Sequence, residues 1–259
     1  MADAFLLSAA RTPIGKYLGA LADVPAVQLG ATAVAEALRR ARCPAERVDE
    51  VILGNVIQAG LGQNPARQAA LKAGLPDSIA AFTVNKVCGS GLKAVMLAAQ
   101  AIRAGDAELV AAGGMESMSR APYLLFGARA GWKYGDQKVV DAMVHDGLWC
   151  AFECWHMGEA AEHIATKCGV SRAEQDRFAA QSQRRAAAAW EKGAFDAEVV
   201  PVTVGSGARA RTVSRDEGLR PDTTAEGLAK LASSPTGVQW LGQLIGTIKS
   251  LASAKGLSL

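Results

Sequence analysis

The sequence predicts an α/β fold built on a largely parallel sheet. Three observations carry that expectation. Strand-like and helix-like segments alternate through the first 118 residues of the 259-residue chain. The strand-like segments are continuous apolar runs, as expected of strands covered on both faces. The helix-like segments start and stop at residues suited to caps and turns.

Phe5–Ala9 is short and apolar and is expected to be the first strand. Residues 27–41 carry apolar side chains at helical spacing and end near Cys43-Pro44. Val51–Val56 is rich in β-branched residues, and a strand is expected. In "GQNPARQAALKAGLP", Asn64 suits an N-cap, Pro65 the first helical position and Gly74 the stop. Phe82–Val87 is a further expected strand. Leu92, Val95, Met96, Ala99 and Ile102 line one stripe of a helix predicted over 92–103, which Gly105 ends. Leu109–Ala112 is an apolar strand running into Gly113-Gly114. Beyond Ser119 the texture changes. Residues 120–160 hold Trp132, Trp149 and Trp155 with weak periodicity, and a loop-rich excursion is expected. Ser171 and Glu174 form a capping-box pair for a long helix reaching Lys192 before Gly193. Residues 199–204 and 211–214 suit a hairpin. Residues 232–259 contain no acidic residue, and Trp240, Leu241, Leu244, Ile245, Ile248 and Leu251 would stripe a helix there.

Composition narrows the function classes. Half the residues are hydrophobic and a fifth charged, with 28 basic against 25 acidic side chains and a net charge of +3. So small an excess, spread along the chain, gives no basic footprint for nucleic acid. No apolar run approaches the roughly 20 residues of a membrane span. Five cysteines, at 43, 88, 150, 154 and 168, are an odd number and come without a secretory leader. Reduced thiols in a cytoplasmic protein are the expectation.

The most informative short run is "NKVCGSGLKAV" (85–95), and it admits three readings. In the first, Cys88 is a nucleophile. A free thiol has a pKa of about 8.5, and the unpaired N–H groups and partial positive charge of a helix N-terminus favour the thiolate. Gly89 and Gly91 would let the backbone turn and leave room for a substrate, and the same N–H groups would hold an oxyanion during acyl transfer. In the second, Gly89, Gly91 and Ala94 match the dinucleotide pattern G-x-G-x-x-A, with Glu116 after the next strand as the ribose-binding acid. The polar Asn85-Lys86 at the strand end argues against that. In the third, Cys88 is a small buried residue between strand and helix. Elsewhere, Cys150, Cys154 and His156 have a spacing that fits no common zinc pattern, so no metal site is expected.

The surrounding text decides. "SAARTPIGKYLGAL", "VILGNVIQAGLGQNPARQAALKAGLP", "VNKVCGSGLKAVMLAAQAI", "AAGGMESMSRAPY", "DGL" at 146, "HMGEAAEHIA" at 156, "SRAEQDRFAAQSQ" at 171 and "RDEGLRPDTTAEGLAKL" at 215 occur in one order. The chain resembles the thiolases, the acetyl-CoA acetyltransferase and 3-ketoacyl-CoA thiolase family, over residues 5–231. The resemblance implies a thiolase-like N-terminal half of layered helix–sheet–helix form with an inserted loop domain. Residues 1–118 would be the α/β core, 119–231 the loop domain over coenzyme A, and 232–259 an atypical tail. It implies that Cys88 carries the acyl group as a thioester, and that Leu148, His156, Met157 and Arg220 line the coenzyme A arm. The implied reactions are Claisen condensation of acetyl-CoA and thiolysis of 3-ketoacyl-CoA, in fatty acid metabolism. Acyl-CoA thioesters would be the substrates, with no separate cofactor, and the assembly a homo-oligomer.

Several family blocks are absent from this sequence. There is no Asn-Glu-Ala-Phe, no Gly-His-Pro with its histidine base, and no Cys-x-Gly-Gly-Gly with its second catalytic cysteine. The histidines, at 145, 156 and 163, stand in other contexts. Each proton-transfer group is typically worth about 10²–10⁴ in rate, so a catalytically incomplete fragment that still binds coenzyme A is the alternative, and a nicotinamide-dependent oxidoreductase a distant one. "GQLIG" is encodable by bases that, read one place over, give Gly-Asn-Ser-Ser-Gly, a sequence the family carries near this point. A local frameshift, in the gene or introduced by sequencing, would produce such a tail, and resequencing the locus tests it.

Overall fold

The computed structural model describes residues 3–231. The apolar stripe expected of 232–259, and the frameshift that would produce such a tail, fall outside the described residues. The chain divides into two compact units. One comprises residues 1–147 and 197–217; the other comprises residues 148–196 together with those from Gly218 onward.

The first unit is a helix–sheet–helix sandwich. Helix α1 (Ala26–Ala41) precedes strand β1 (Glu50–Gly54), helix α2 (Pro65–Lys72), strand β2 (Ala80–Val84), helix α3 (Ser90–Ala104) and strand β3 (Val110–Gly114). The three strands are parallel, in the order β2-β1-β3, with Ile52 of β1 paired to Phe82 and to Ala112. Alternation along β1 assigns its side chains to two cores. Val51 and Leu53 pack with Val27 and Val34 of α1 and Ala66, Ala69 and Ala70 of α2. Ile52 points the other way, onto Ala94 and Ala98 of α3. Each of these three β1 side chains is at most 2% exposed, so burying them is a main source of this unit's stability. The punctuation acts as expected. Asn64 Oδ1 accepts the Arg67 N–H at 3.2 Å, Pro65 opens α2, and Gly105 ends α3 in the left-handed region.

One expectation is corrected here. Phe5–Ala9 is not a strand. Among the described residues the run pairs with no strand, the nearest ladder contact being a single bridge from Arg11 to Val199, and Phe5, Leu6 and Leu7 are 64–81% exposed. β-propensity makes a strand only where a neighbour completes the ladder. In α3 the large apolar stripe faces outward, with Leu92 68% exposed and Val95 and Met96 also exposed, while the face of Ser90, Ala94 and Ala98 is buried. Small residues face the sheet because the helix lies too close for larger ones.

The rest of this unit is irregular, as the weak periodicity implies. Strands β4 (Tyr123–Leu124) and β5 (Val140–Asp141) pair over two residues each, and a π-helical turn covers Met143–Leu148. In the second unit, α4 (Met157–Lys167) and α5 (Arg172–Glu191) follow. The chain then returns to the first unit as the expected hairpin, β6 (Val202–Val204) and β7 (Arg211–Val213), which packs on Leu21 and Val24. Arg11 anchors the return through Glu198 (2.6 Å) and Asp216 (2.7 Å). In the second unit, α6 (Ala225–Ala229) seats Leu228 on Ala179 and Ala180 of α5. Arg172, itself paired with Asp176, donates to the Leu228 carbonyl at 2.6 Å.

Candidate active site

The carboxyl ends of parallel strands are where open α/β sheets present their reactive groups, and Cys88 lies just beyond β2. The chain reaches it through a tightly bonded turn. Asn85 Oδ1 accepts the Val87 N–H (2.9 Å), and the Lys86 N–H donates to the Ser90 hydroxyl (2.8 Å). That hydroxyl in turn donates to the Val87 carbonyl (2.6 Å). Ser90 is buried, so its hydroxyl is committed to shaping the turn. Cys88 itself is exposed and unoxidised, which removes the buried-cysteine reading.

The glycines do not act as expected. Gly89 has φ −88°, whereas Val87 has φ 47°. The sharp turn therefore falls on a β-branched residue, for which a positive φ is a genuine strain. Such strain persists only where its surroundings over-determine it, and it collects at functional sites. A Cβ on Gly91 would come no nearer than 3.6 Å to another atom, so the close approach rests on Gly54 and Gly114 instead. A Cβ on Gly114 would stand 3.1 Å from the Gly91 Cα, and one on Gly54 would stand 2.4 Å from the Ser90 carbonyl carbon. The first turn of α3 is thus pressed on the ends of β1 and β3, which fixes where Cys88 points the chain.

Glu116, the ribose-binding acid of the disfavoured dinucleotide reading, has another use in the structure. Its carboxylate accepts from Asn55 Nδ2 (2.8 Å), the Val56 N–H (2.9 Å) and the Ile57 N–H (3.3 Å). It holds the loop after β1 and is not free for a ribose. Burial pushes its pKa up, against the pull of those three donors. Asn55 is almost fully enclosed, and its side-chain oxygen has no hydrogen-bond partner among the described residues. The Gly-Gly-x-Glu run after a strand signals a carboxylate at a strand end, but its use depends on which backbone N–H groups lie opposite.

The other four expected residues, Leu148, His156, Met157 and Arg220, belong to the second unit. Leu148 ends the π-helical turn and is half-buried. Trp149 and His156 form an antiparallel bridge that brings the two ends of the intervening loop together. His156 caps α4. Its Nδ1 accepts the Gly158 N–H (3.2 Å) and its own N–H donates to Glu159 (2.8 Å), a reciprocal capping box. The sequence gives little warning of this, because histidine is not among the usual N-caps. His156 is 8% exposed, and burial holds its pKa below the ordinary histidine value while Glu159 opposes this. With Nδ1 accepting, the neutral ring carries its proton on Nε2, which is buried and has no partner among the described residues. Met157 is the first residue of α4 and is 37% exposed. Arg220 is exposed, and its backbone is tied down where its N–H meets Gln183 Oε1 of α5 (2.9 Å). Among the described residues its guanidinium forms no ion pair. Among the described residues, too, no cluster of three or more His, Cys, Asp or Glu is arranged to hold a metal ion.

Fold and turn together define an α/β protein that presents an accessible thiol at the entry to a helix packed against a parallel sheet. The profile of the thiolase N-terminal domain matches residues 4–238, and the chain belongs to the thiolase family. It is 53% identical over 232 residues to an acetyl-CoA acetyltransferase of Escherichia coli K12, covering 89% of this chain and 59% of that protein. It is 56% identical over 204 residues to an acetyl-CoA acetyltransferase of Cupriavidus necator, covering 79% of this chain and 52% of that protein. A probable acetyl-CoA acyltransferase of Staphylococcus epidermidis is 50% identical over 232 residues, 89% of this chain and 59% of that protein. The chain thus spans somewhat over half the length of these relatives.

Proposed function

We propose that the chain is an acyltransferase of the acetyl-CoA C-acetyltransferase type, with Cys88 as the acyl-accepting nucleophile. The observation that carries this reading is an exposed thiol on a strained, fully bonded turn two residues before α3. The Cys88 sulfur attacks the thioester carbonyl of acetyl-CoA; the C–S bond to coenzyme A breaks, and coenzyme A leaves as the thiol. The Gly89 and Ser90 N–H groups donate to the Lys86 and Val87 carbonyls (3.1 and 3.0 Å), so donors to the oxyanion of the tetrahedral intermediate must come from elsewhere around the thiol. Leu148, Met157 and the neutral His156 line the pantetheine arm. Arg220 meets the phosphates, where a guanidinium both pairs and stacks. These residues belong to a loop domain spanning 119–231. Condensation and thiolysis of 3-ketoacyl-CoA are the two directions of this chemistry, within fatty acid metabolism. The chain acts in the cytoplasm as a homo-oligomer and needs no cofactor beyond its coenzyme A thioester substrates. The names of the relatives support the substrate class, and no described helix is long and apolar enough to cross a membrane. The nicotinamide alternative is not favoured, since Glu116 is occupied by the loop after β1.

Intact-mass analysis after acetyl-CoA is added is expected to show one acetyl adduct, absent in Cys88→Ala. No adduct on the unaltered protein, or an adduct that survives in Cys88→Ala, defeats the assignment. An adduct without acetoacetyl-CoA turnover would indicate a nucleophile working without its acid and base.

A further inference from the structure

We propose that Cys150 and Cys154 are a redox modification site, a dithiol that closes to a disulfide within the loop leading into α4. Neither residue takes part in the acyl-transfer reading, and the inference stands without it.

The geometry is that of a turn already closed by its backbone. The Cys154 N–H donates to the Cys150 carbonyl at 2.9 Å. An N–H bonded to the carbonyl four residues back keeps the two Cα atoms about 6 Å apart. Disulfides typically span about 4.4–6.8 Å between Cα atoms. The loop is pinned again where the Cys150 N–H donates to the Trp155 carbonyl (2.8 Å), and once more by the Trp149–His156 bridge. Both thiols are free; Cys154 is exposed and Cys150 half-buried. The Cys150 sulfur also accepts the Glu153 N–H at 3.4 Å, so it is aimed back over its own turn. Cys154 sits at φ 54°, a left-handed conformation that few non-glycine residues adopt. The fold has therefore already met most of the entropic cost of ring closure.

The step balances with a disulfide oxidant such as oxidised glutathione. The more exposed Cys154 thiolate attacks one glutathione sulfur, forming a mixed disulfide and releasing one glutathione thiolate. The Cys150 thiolate then attacks the Cys154 sulfur and releases the second glutathione. Two protons leave the protein, and the two electrons pass to the oxidant.

Trypsin tests this directly, because residues 139–167 lie between Lys138 and Lys167 and hold both cysteines in one peptide. After the whole protein is treated with oxidised glutathione, that peptide is expected to lose two hydrogen masses and resist alkylation. Dithiothreitol is expected to restore it. In Cys150→Ser, Cys154 is expected to stop at the glutathione adduct. Only mixed disulfides on the unaltered protein, or a bridge from either cysteine to Cys43, Cys88 or Cys168, overturns the proposal. Far-UV circular dichroism of each variant shows that it is folded when treated.

Discussion

His156 shows how one side chain joins capping to a site. Its Nδ1 is committed to the first turn of α4, and burial lowers its pKa. The sign of the pH effect follows. A histidine whose folded-state pKa lies below the unfolded value of about 6.5 contributes stability that is present above that pH. That stability is lost as pH falls from there toward the folded value. His156→Asn keeps an oxygen for the N-cap and removes the titration. The melting temperature of the unaltered protein is expected to fall more steeply than that of the variant between pH 7.5 and 5.5. Parallel slopes in a thermal melt series would show that His156 does not carry this dependence. Glu116 titrates with the opposite sign: its raised pKa means stability is lost as pH climbs through the carboxylate range.

At the scale of elements, the contact between β1 and α3 sets the Cys88 turn. Gly54 and Gly114 let backbone meet backbone, and Ala94 and Ala98 continue the close approach along the helix. Gly54→Ala would put a methyl group 2.4 Å from the Ser90 carbonyl carbon and 2.6 Å from the Gly91 nitrogen, neither of which can swing aside. The expected cost is about 3 kcal/mol, read as a lower urea midpoint at unchanged slope. A midpoint equal to that of the unaltered protein would mean that α3 is not seated on β1 as described. The capping boxes of α4 and α5 contrast in legibility. Ser171 and Glu174 are plain in the text, while the box of His156 and Glu159 is seen only in the backbone geometry.

At the scale of the whole molecule, large apolar side chains remain uncovered. Leu92, Val95 and Met96 on α3 and the run Phe5–Leu7 are exposed, and among the described residues β2 is an edge strand with Phe82 partly exposed. Exposed apolar surface of this kind commonly marks an interface. Light scattering is expected to give a mass at least twice the 26.9 kDa of one chain. Leu92→Lys combined with Met96→Lys is expected to shift it toward the monomer. A monomeric unaltered protein would contradict the oligomer reading.

The sequence by itself determined the three parallel strands, the helices between them, the caps at Asn64 and Ser171, and Cys88 at the mouth of α3. These are legible because periodicity, capping and turn chemistry are local. Tertiary structure alone decided that Phe5–Ala9 is not a strand, that the apolar stripe of α3 faces outward, and that the strained turn residue is Val87 rather than a glycine. It also decided that Glu116 holds a loop and that two cysteines share one closed turn. Each of these depends on which atoms arrive opposite a residue from distant or folded-back chain. Hydrogen-bond partners and steric room are properties of that meeting, and no local pattern encodes them.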